Sequence, residues 1–224
     1  MNLSELSAAF QRRFDQTMAA REKALTASRR SIRASANAIR AIHRGDVDEA
    51  HRLMDEARSA IQAGREAVRQ AHPDVYFAGF VQDAQKEYAE ARLTEAIVRG
   101  ADLPTPEDLE VELPPYLNGM AESIGEGRRA ILDLLRRGQM GESERILTAM
   151  EEMYYLLVSM DYPDAITGNL RRSTDVARSI MERTRGDLSV ALVQRTLQET
   201  LEAGLRRLEG SPGTAEQGPD HPPP

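Results

Sequence analysis

A chain of 224 residues is long enough for one substantial core, and its composition narrows the fold at once. Aromatics are only 4% and tryptophan is absent, while helix-forming residues such as Ala, Leu, Met, Glu and Arg dominate, which disfavours strands. The absence of cysteine excludes disulfides and thiolate metal sites, and the net charge of −7 argues mildly against a nucleic-acid partner.

The N-terminal stretch MNLSELSAAFQRRF carries charges where a signal peptide would be apolar, and no run reaches the roughly 18 apolar residues of a membrane span. A soluble, cytoplasmic protein with no membrane partner is expected. Among the 29 basic residues only Lys23 and Lys86 are lysines. Arginine suits planar contacts to phosphate, although a GC-rich genome would produce the same bias.

Stop signals divide the chain into helices. Arg44-Gly45, Arg99-Gly100, Arg137-Gly138 and Arg185-Gly186 each put a cation in a last turn and glycine just past it. Asp46 with Glu49 reads as the cap of the next helix. The first helix spans 2–44, its apolar stripe running through Leu3, Leu6, Phe10, Phe14, Met18, Leu25, Ile32, Ile39 and Ile42. Helices are expected over 46–71 and 74–99. After the linker ADLPTPEDLEVELPP come others at 115–137, 140–159, 168–185 and 187–208. The expected fold is all-α: a seven-helix α/α bundle with long antiparallel N-terminal helices. One domain fills 1–209, and GSPGTAEQGPDHPPP, 210–224, reads as a disordered tail.

On the second helix His51, Arg58, Arg65, Arg69 and His72 share one side, opposite Leu53, Ala57, Ala60, Gly64 and Ala67. Such a row suits a nucleic-acid backbone, and it equally suits a solvated face paired with neighbouring acids. The first helix adds Arg12, Arg13, Arg21, Lys23, Arg29, Arg30, Arg33, Arg40 and Arg44. On the third helix Asp83, Glu87 and Glu90 share a face, with Glu87 at the rim of the apolar side. On the fourth, Glu122 and Glu126 stand at i,i+4 opposite Leu117, Met120, Ile124, Ile131 and Leu135, exposed within one subunit. Gly119, Gly125 and Gly127 are costly in a helix unless a backbone or ligand comes close. Acid pairs at this spacing are common on any acidic helix. Together, four carboxylates form an oxygen-only set suited to Mg²⁺ or Mn²⁺. His43, His51, His72 and His221 show no ligand spacing, and no phosphate loop or nucleophile elbow is visible.

PPYLNGMAESIGEGRRAI resembles the tyrosine-leucine-x-glycine, acid and glycine-glutamate stretch of the translin family. QKEYAEA is similar to the glutamate-tyrosine-x-glutamate-alanine of its catalytic branch, translin-associated factor X. The likeness spans about residues 15–186, taking in the opening helix and PDAITGNLRRSTDVARSIMERTRG. The resemblance implies a translin-type helical fold assembled into a hollow homo-oligomer, often an octamer. It also implies binding of single-stranded or structured RNA, or single-stranded DNA, and Mg²⁺-dependent endoribonuclease activity. Carried over position by position, the metal and catalytic acids are Glu87, Glu90, Glu122 and Glu126, with Glu122 where an aspartate is usual. Translin's basic cluster is missing from DVYFAGFVQD, so Arg58, Arg65 and Arg69 are the expected nucleic-acid contacts. Two alternatives stand beside this reading: a non-catalytic RNA- or DNA-binding shell, and a helical protein-protein scaffold.

Overall fold

The structure, a computed structural model, describes residues 2–209; the expected tail, 210–224, lies outside the described residues. Six long helices and three single turns follow one another: α1 (Leu3–Arg44), α2 (Val47–Val68), α3 (Pro73–Tyr76), α4 (Phe80–Arg99), α5 (Pro106–Leu109), α6 (Leu113–Arg136), α7 (Met140–Ser159), α8 (Asp164–Thr167) and α9 (Leu170–Glu209). The all-α expectation holds, and no strand occurs among the described residues. No described helix is long and apolar enough to cross a membrane.

Three of the four Arg-Gly stops work as read. Gly45, Gly100 and Gly138 all adopt positive φ at helix ends, the left-handed geometry that glycine enters without a Cβ penalty. Asp46 caps α2 by accepting from the Glu49 backbone N–H at 3.3 Å. The expected third helix over 74–99 is instead broken at Gly79, whose φ of 103° interrupts it after α3.

The fourth stop fails, and the expected helices 168–185 and 187–208 are one helix, α9. Arg128 of α6 explains this. Its guanidinium donates to Thr184 Oγ1 at 3.2 Å and pairs with Asp187 at 2.7 Å, clamping both sides of Gly186. Asp187, which would cap a new helix, is thereby occupied. Nothing lies within 4 Å of a Cβ built on Gly186. Gly186→Ala is therefore expected to stabilise the chain by roughly 0.5–1 kcal/mol, the helix-propensity difference, read from the denaturant midpoint.

Helices α1 and α2 lie antiparallel, since Thr17 meets His72 while Arg30 meets Glu56. Small residues allow the approach: a Cβ on Gly64 would sit 3.4 Å from that of Ala27. The N-terminal part of the α1 stripe does not enter the core. Leu3, Phe10, Phe14 and Met18 are all more than half exposed, and burial begins at Ala24. The main core lies where α6, with Ile124 and Ile131 fully buried, packs against α4, α7 and α9.

Helices α4 and α6 run in the same direction, because the linker bearing α5 carries the chain back. Gln85 accepts from the Glu112 backbone N–H at 2.7 Å, and Tyr76 donates to the Glu112 carboxylate at 2.6 Å. These bonds fix the start of α6 against α4. Asn118, bonded to the Thr167 carbonyl at 2.9 Å and to Ser173 Oγ at 2.7 Å, fixes the start of α9 against α6.

Candidate metal centre

Close approach of α4 and α6 builds the site. A Cβ on Gly119 would stand 2.6 Å from the Lys86 carbonyl oxygen and 3.0 Å from the Glu90 backbone nitrogen. Only glycine lets α6 come this near the α4 backbone. The expectation of a nearby backbone thus holds at Gly119. Gly127 meets a side chain, Met150 at 2.8 Å, and Gly125 has only ordinary contact with Ile180.

This approach brings three of the four expected acids together. Glu87, Glu90 and Glu122 each offer a carboxylate oxygen, and the three oxygens lie within 4.8 Å of one another. The fourth, Glu126, stands a turn further along α6, and its charge is felt at Glu90. Its carboxylate is held by His43 Nε2 at 2.5 Å, with Arg129 at 3.6 Å. The α6 acids, expected to be exposed within one subunit, are partly covered. Glu122 keeps 39% of its side chain exposed and Glu126 25%. The sequence reading gave α6 one apolar face, whereas α4, α7 and α9 all pack on it.

Lys86 completes the cluster. Its ammonium lies 2.7 Å from Glu122 and 3.2 Å from Glu87, bridging the two helices. Burial alone would lower the lysine's pKa, yet the facing carboxylates outweigh it and the net shift is upward. Glu90 goes the other way for a carboxyl: burial, then the charges of Glu87, Glu122 and Glu126, push it up to about 8. Glu126 is drawn below the usual carboxylate value, first by the His43 hydrogen bond. Because Glu126 is then ionised, the imidazole N–H is the donor.

A raised carboxyl has a definite consequence for stability. Between its unfolded value near 4.5 and its folded value of about 8, Glu90 holds more proton in the folded chain than in the unfolded one. Stability contributed by the protonated form is therefore present below the unfolded pKa and lost as pH rises towards 8. The metal-free protein should weaken from pH 5 to 8, and Glu90→Gln should remove most of that slope. The variant is expected to exceed the wild type by on the order of 1–2 kcal/mol at pH 8, allowing for partial solvent screening. Chemical denaturation across the pH series measures it.

A cavity of about 390 Å³ opens beside the acids. Glu90, Ala121 and Glu122 form one wall, and Arg172, Ser173, Val176 and Ile180 of α9 form the other. The exposed Arg172 thus shares a cleft with two of the clustered carboxylates.

The expected arginine row on α2 is largely engaged inside the subunit. Arg58 pairs with Glu110 at 2.8 Å, Arg65 donates to the Glu110 carbonyl at 2.5 Å, and Arg69 lies over the Tyr76 ring at 5.8 Å. These contacts fasten the α5 linker and α3. A different row leads towards the acids. Arg29, Arg33, Ala36, Arg40 and His43 recur every three or four residues, forming one stripe on α1 that ends at Glu126. Its three arginines are exposed, and Arg29 and Arg33 line a groove between α1 and α2.

Sequence reasoning missed His43, Lys86 and Arg172 at this site. The stripe ending at His43 was legible by its spacing. The other two depend on which helices meet, which no local pattern reveals.

The donor set fits a hard divalent cation. It consists of carboxylate oxygens, is partly withdrawn from water, and already draws an ammonium between its members.

No model of a known protein family matches the chain. It is 32% identical over 183 residues to the uncharacterized protein MJ0175 of Methanocaldococcus jannaschii, covering 81% of this chain and 80% of that one. Among solved structures it is similar to AfC3PO, with a TM-score of 0.77 and 35% identity over 88% of this chain and all of that one. The AfC3PO–duplex RNA complex gives 0.76 and 34% over 88% and 99%. Apo-NeC3PO, at 0.72 and 20% identity over 85% and 97%, shares the fold.

Proposed function

The chain belongs to the translin family, and from that premise we propose that it is a divalent-cation-dependent endoribonuclease acting inside a hollow homo-oligomer. The observation that carries the proposal is the convergence of Glu87, Glu90 and Glu122 from two helices, their oxygens within 4.8 Å of one another. Binding of duplex RNA by AfC3PO supports RNA as the substrate, with single-stranded DNA a second nucleic acid to assay.

Glu87, Glu90 and Glu122 would hold Mg²⁺ or Mn²⁺, and Glu126, fixed by His43, would complete the set from the neighbouring turn. A bound ion would supply a Lewis acid for the phosphoryl oxygen and lower the pKa of the attacking water. The protein's own part is to position and to exclude. One of these four acids would orient or deprotonate the attacking water. Arg172, across the cleft, would hold the phosphate beside the carboxylates. Arg29, Arg33 and Arg40 would track the backbone without reading bases. Arg58, Arg65 and Arg69 would add contacts from the far side of α2 as far as their internal bonds allow.

Assembly of several copies, with eight the number the family resemblance implies, is proposed on apolar surface that one subunit leaves open. Phe10, Phe14 and Met18 of α1, with Val193, Leu197 and Leu201 of α9, are all more than half exposed.

Incubating the purified protein with labelled duplex and single-stranded RNA, with Mg²⁺ or with EDTA, tests the reading. Cleavage only with the metal supports it. Retention of RNA without cleavage under any divalent ion assigns the protein to a binding shell. No retention even at low salt, where phosphate contacts are strongest, assigns it to a scaffold.

A further inference from the structure

Lys86 is one of only two lysines in the sequence, and its ammonium lies between two acids of the cluster. It touches Glu122 of α6 at 2.7 Å and Glu87 of α4 at 3.2 Å, and only a quarter of its side chain is exposed. A surface lysine would spread into water. This one is folded back between helices, where it offsets the negative charge of Glu87 and Glu122 in a cluster crowded within 4.8 Å.

We propose that Lys86 is a built-in place-holder for the metal ion, a tethered cation that neutralises the acid cluster and swings away when a divalent ion enters. This rests on the metal-binding reading above. Geometry makes the two occupants compete. Mg²⁺ or Mn²⁺ binds carboxylate oxygen at about 2.1 Å. An ion on the Glu122 oxygen that Lys86 now touches would therefore lie at most about 5 Å from the ammonium. Three positive charges would then share a partly buried cleft and the same oxygens. The ammonium is the mobile one, since its four-carbon stem reorients without disturbing the α4 backbone.

The place-holder has two effects on the site. It keeps the α4 and α6 carboxylates together in the metal-free chain, so the site is largely formed before the ion arrives. It also sets a threshold, because the ion must compete with an attached cation. The affinity is tuned down, and the site fills only where divalent ions are plentiful.

Titration of the full-length protein with Mn²⁺ alone, followed calorimetrically and paired with thermal unfolding with and without Mn²⁺, tests this. Lys86→Met removes the charge and keeps most of the stem; Lys86→Gln does so with a polar end and guards against a packing defect; Lys86→Arg keeps a cation. The neutral variants should bind Mn²⁺ on the order of tenfold more tightly than the wild type, the ordinary scale of coupling between two ligands of one site. Their metal-free Tm should fall by roughly 2–4 °C and be restored by Mn²⁺, while Lys86→Arg should not bind more tightly than the wild type. Binding by the neutral variants where the wild type takes up none would support the proposal equally. If the wild type binds Mn²⁺ and both neutral variants bind it no better, the place-holder is overturned and the metal site stands. If neither the wild type nor any variant binds Mn²⁺, the metal reading itself falls and the place-holder with it.

Discussion

Glu90→Gln is expected to lower Mg²⁺-dependent RNA cleavage roughly 10²–10³-fold, the scale of losing one preorganised charge from a partly dry site. The helical fold should be untouched. The same substitution should raise the stability of the metal-free protein at pH 8, because it removes a carboxylate that burial and three like charges push up to about 8. Gain of stability with loss of activity is the signature of a group kept for chemistry at the expense of folding. Glu87→Gln and Glu122→Gln should lose activity to a similar degree. Asp83→Asn, exposed on the same helix and outside the oxygen cluster, should not. Initial rates at saturating Mg²⁺, with unfolding curves on the same preparations, give both readings. Cleavage by Glu90→Gln at the wild-type rate would remove Glu90 from the reaction.

Gly119→Ala should be the most damaging single-methyl change in the bundle. Its new Cβ would lie 2.6 Å from the Lys86 carbonyl oxygen and 3.0 Å from the Glu90 nitrogen, both backbone atoms of α4 that cannot rotate aside. The helices must separate, at an expected cost of about 3 kcal/mol, a fall of roughly 6–12 °C in Tm for a chain of this size. Separation also parts Glu87 and Glu90 from Glu122, so divalent-ion binding should weaken in the molecules that still fold. Gly125→Ala, fewer than two turns along the same helix and facing only Ile180 at 3.7 Å, is the matched control. It should be neutral or slightly stabilising, since alanine is the better helix former. Equal losses at both positions would mean that helix packing in general is fragile, and that Gly119 has no special place in the site.

Much of this is legible in the sequence alone, and the limits of that reading are physical. Helix ends at Gly45, Gly100 and Gly138 were readable because the signal is local: a positive φ that glycine alone enters easily. Gly186 carried the same signal and failed because Arg128, far away in sequence, grips both flanks of it. The acids were found by motif and spacing, yet their burial was not, because α6 is covered on several sides by helices whose docking no periodicity encodes. The arginines of α2 show the same limit. Arg58, Arg65 and Arg69 were correctly placed on one face, but that face meets Glu110 and Tyr76. Lys86, seen only as one of two lysines, gained its meaning from Glu122, a residue 36 positions away.

The central claim is that carboxylates of α4 and α6 converge to hold a divalent ion. Crystals soaked in Mn²⁺ and recorded at a wavelength where manganese scatters anomalously test it most directly. A peak is expected within about 2.1–2.3 Å of oxygens from Glu87, Glu90 and Glu122, with the Lys86 ammonium moved out from between Glu87 and Glu122. A cluster still bridged by Lys86 and without a peak, at Mn²⁺ concentrations that support cleavage, would contradict it.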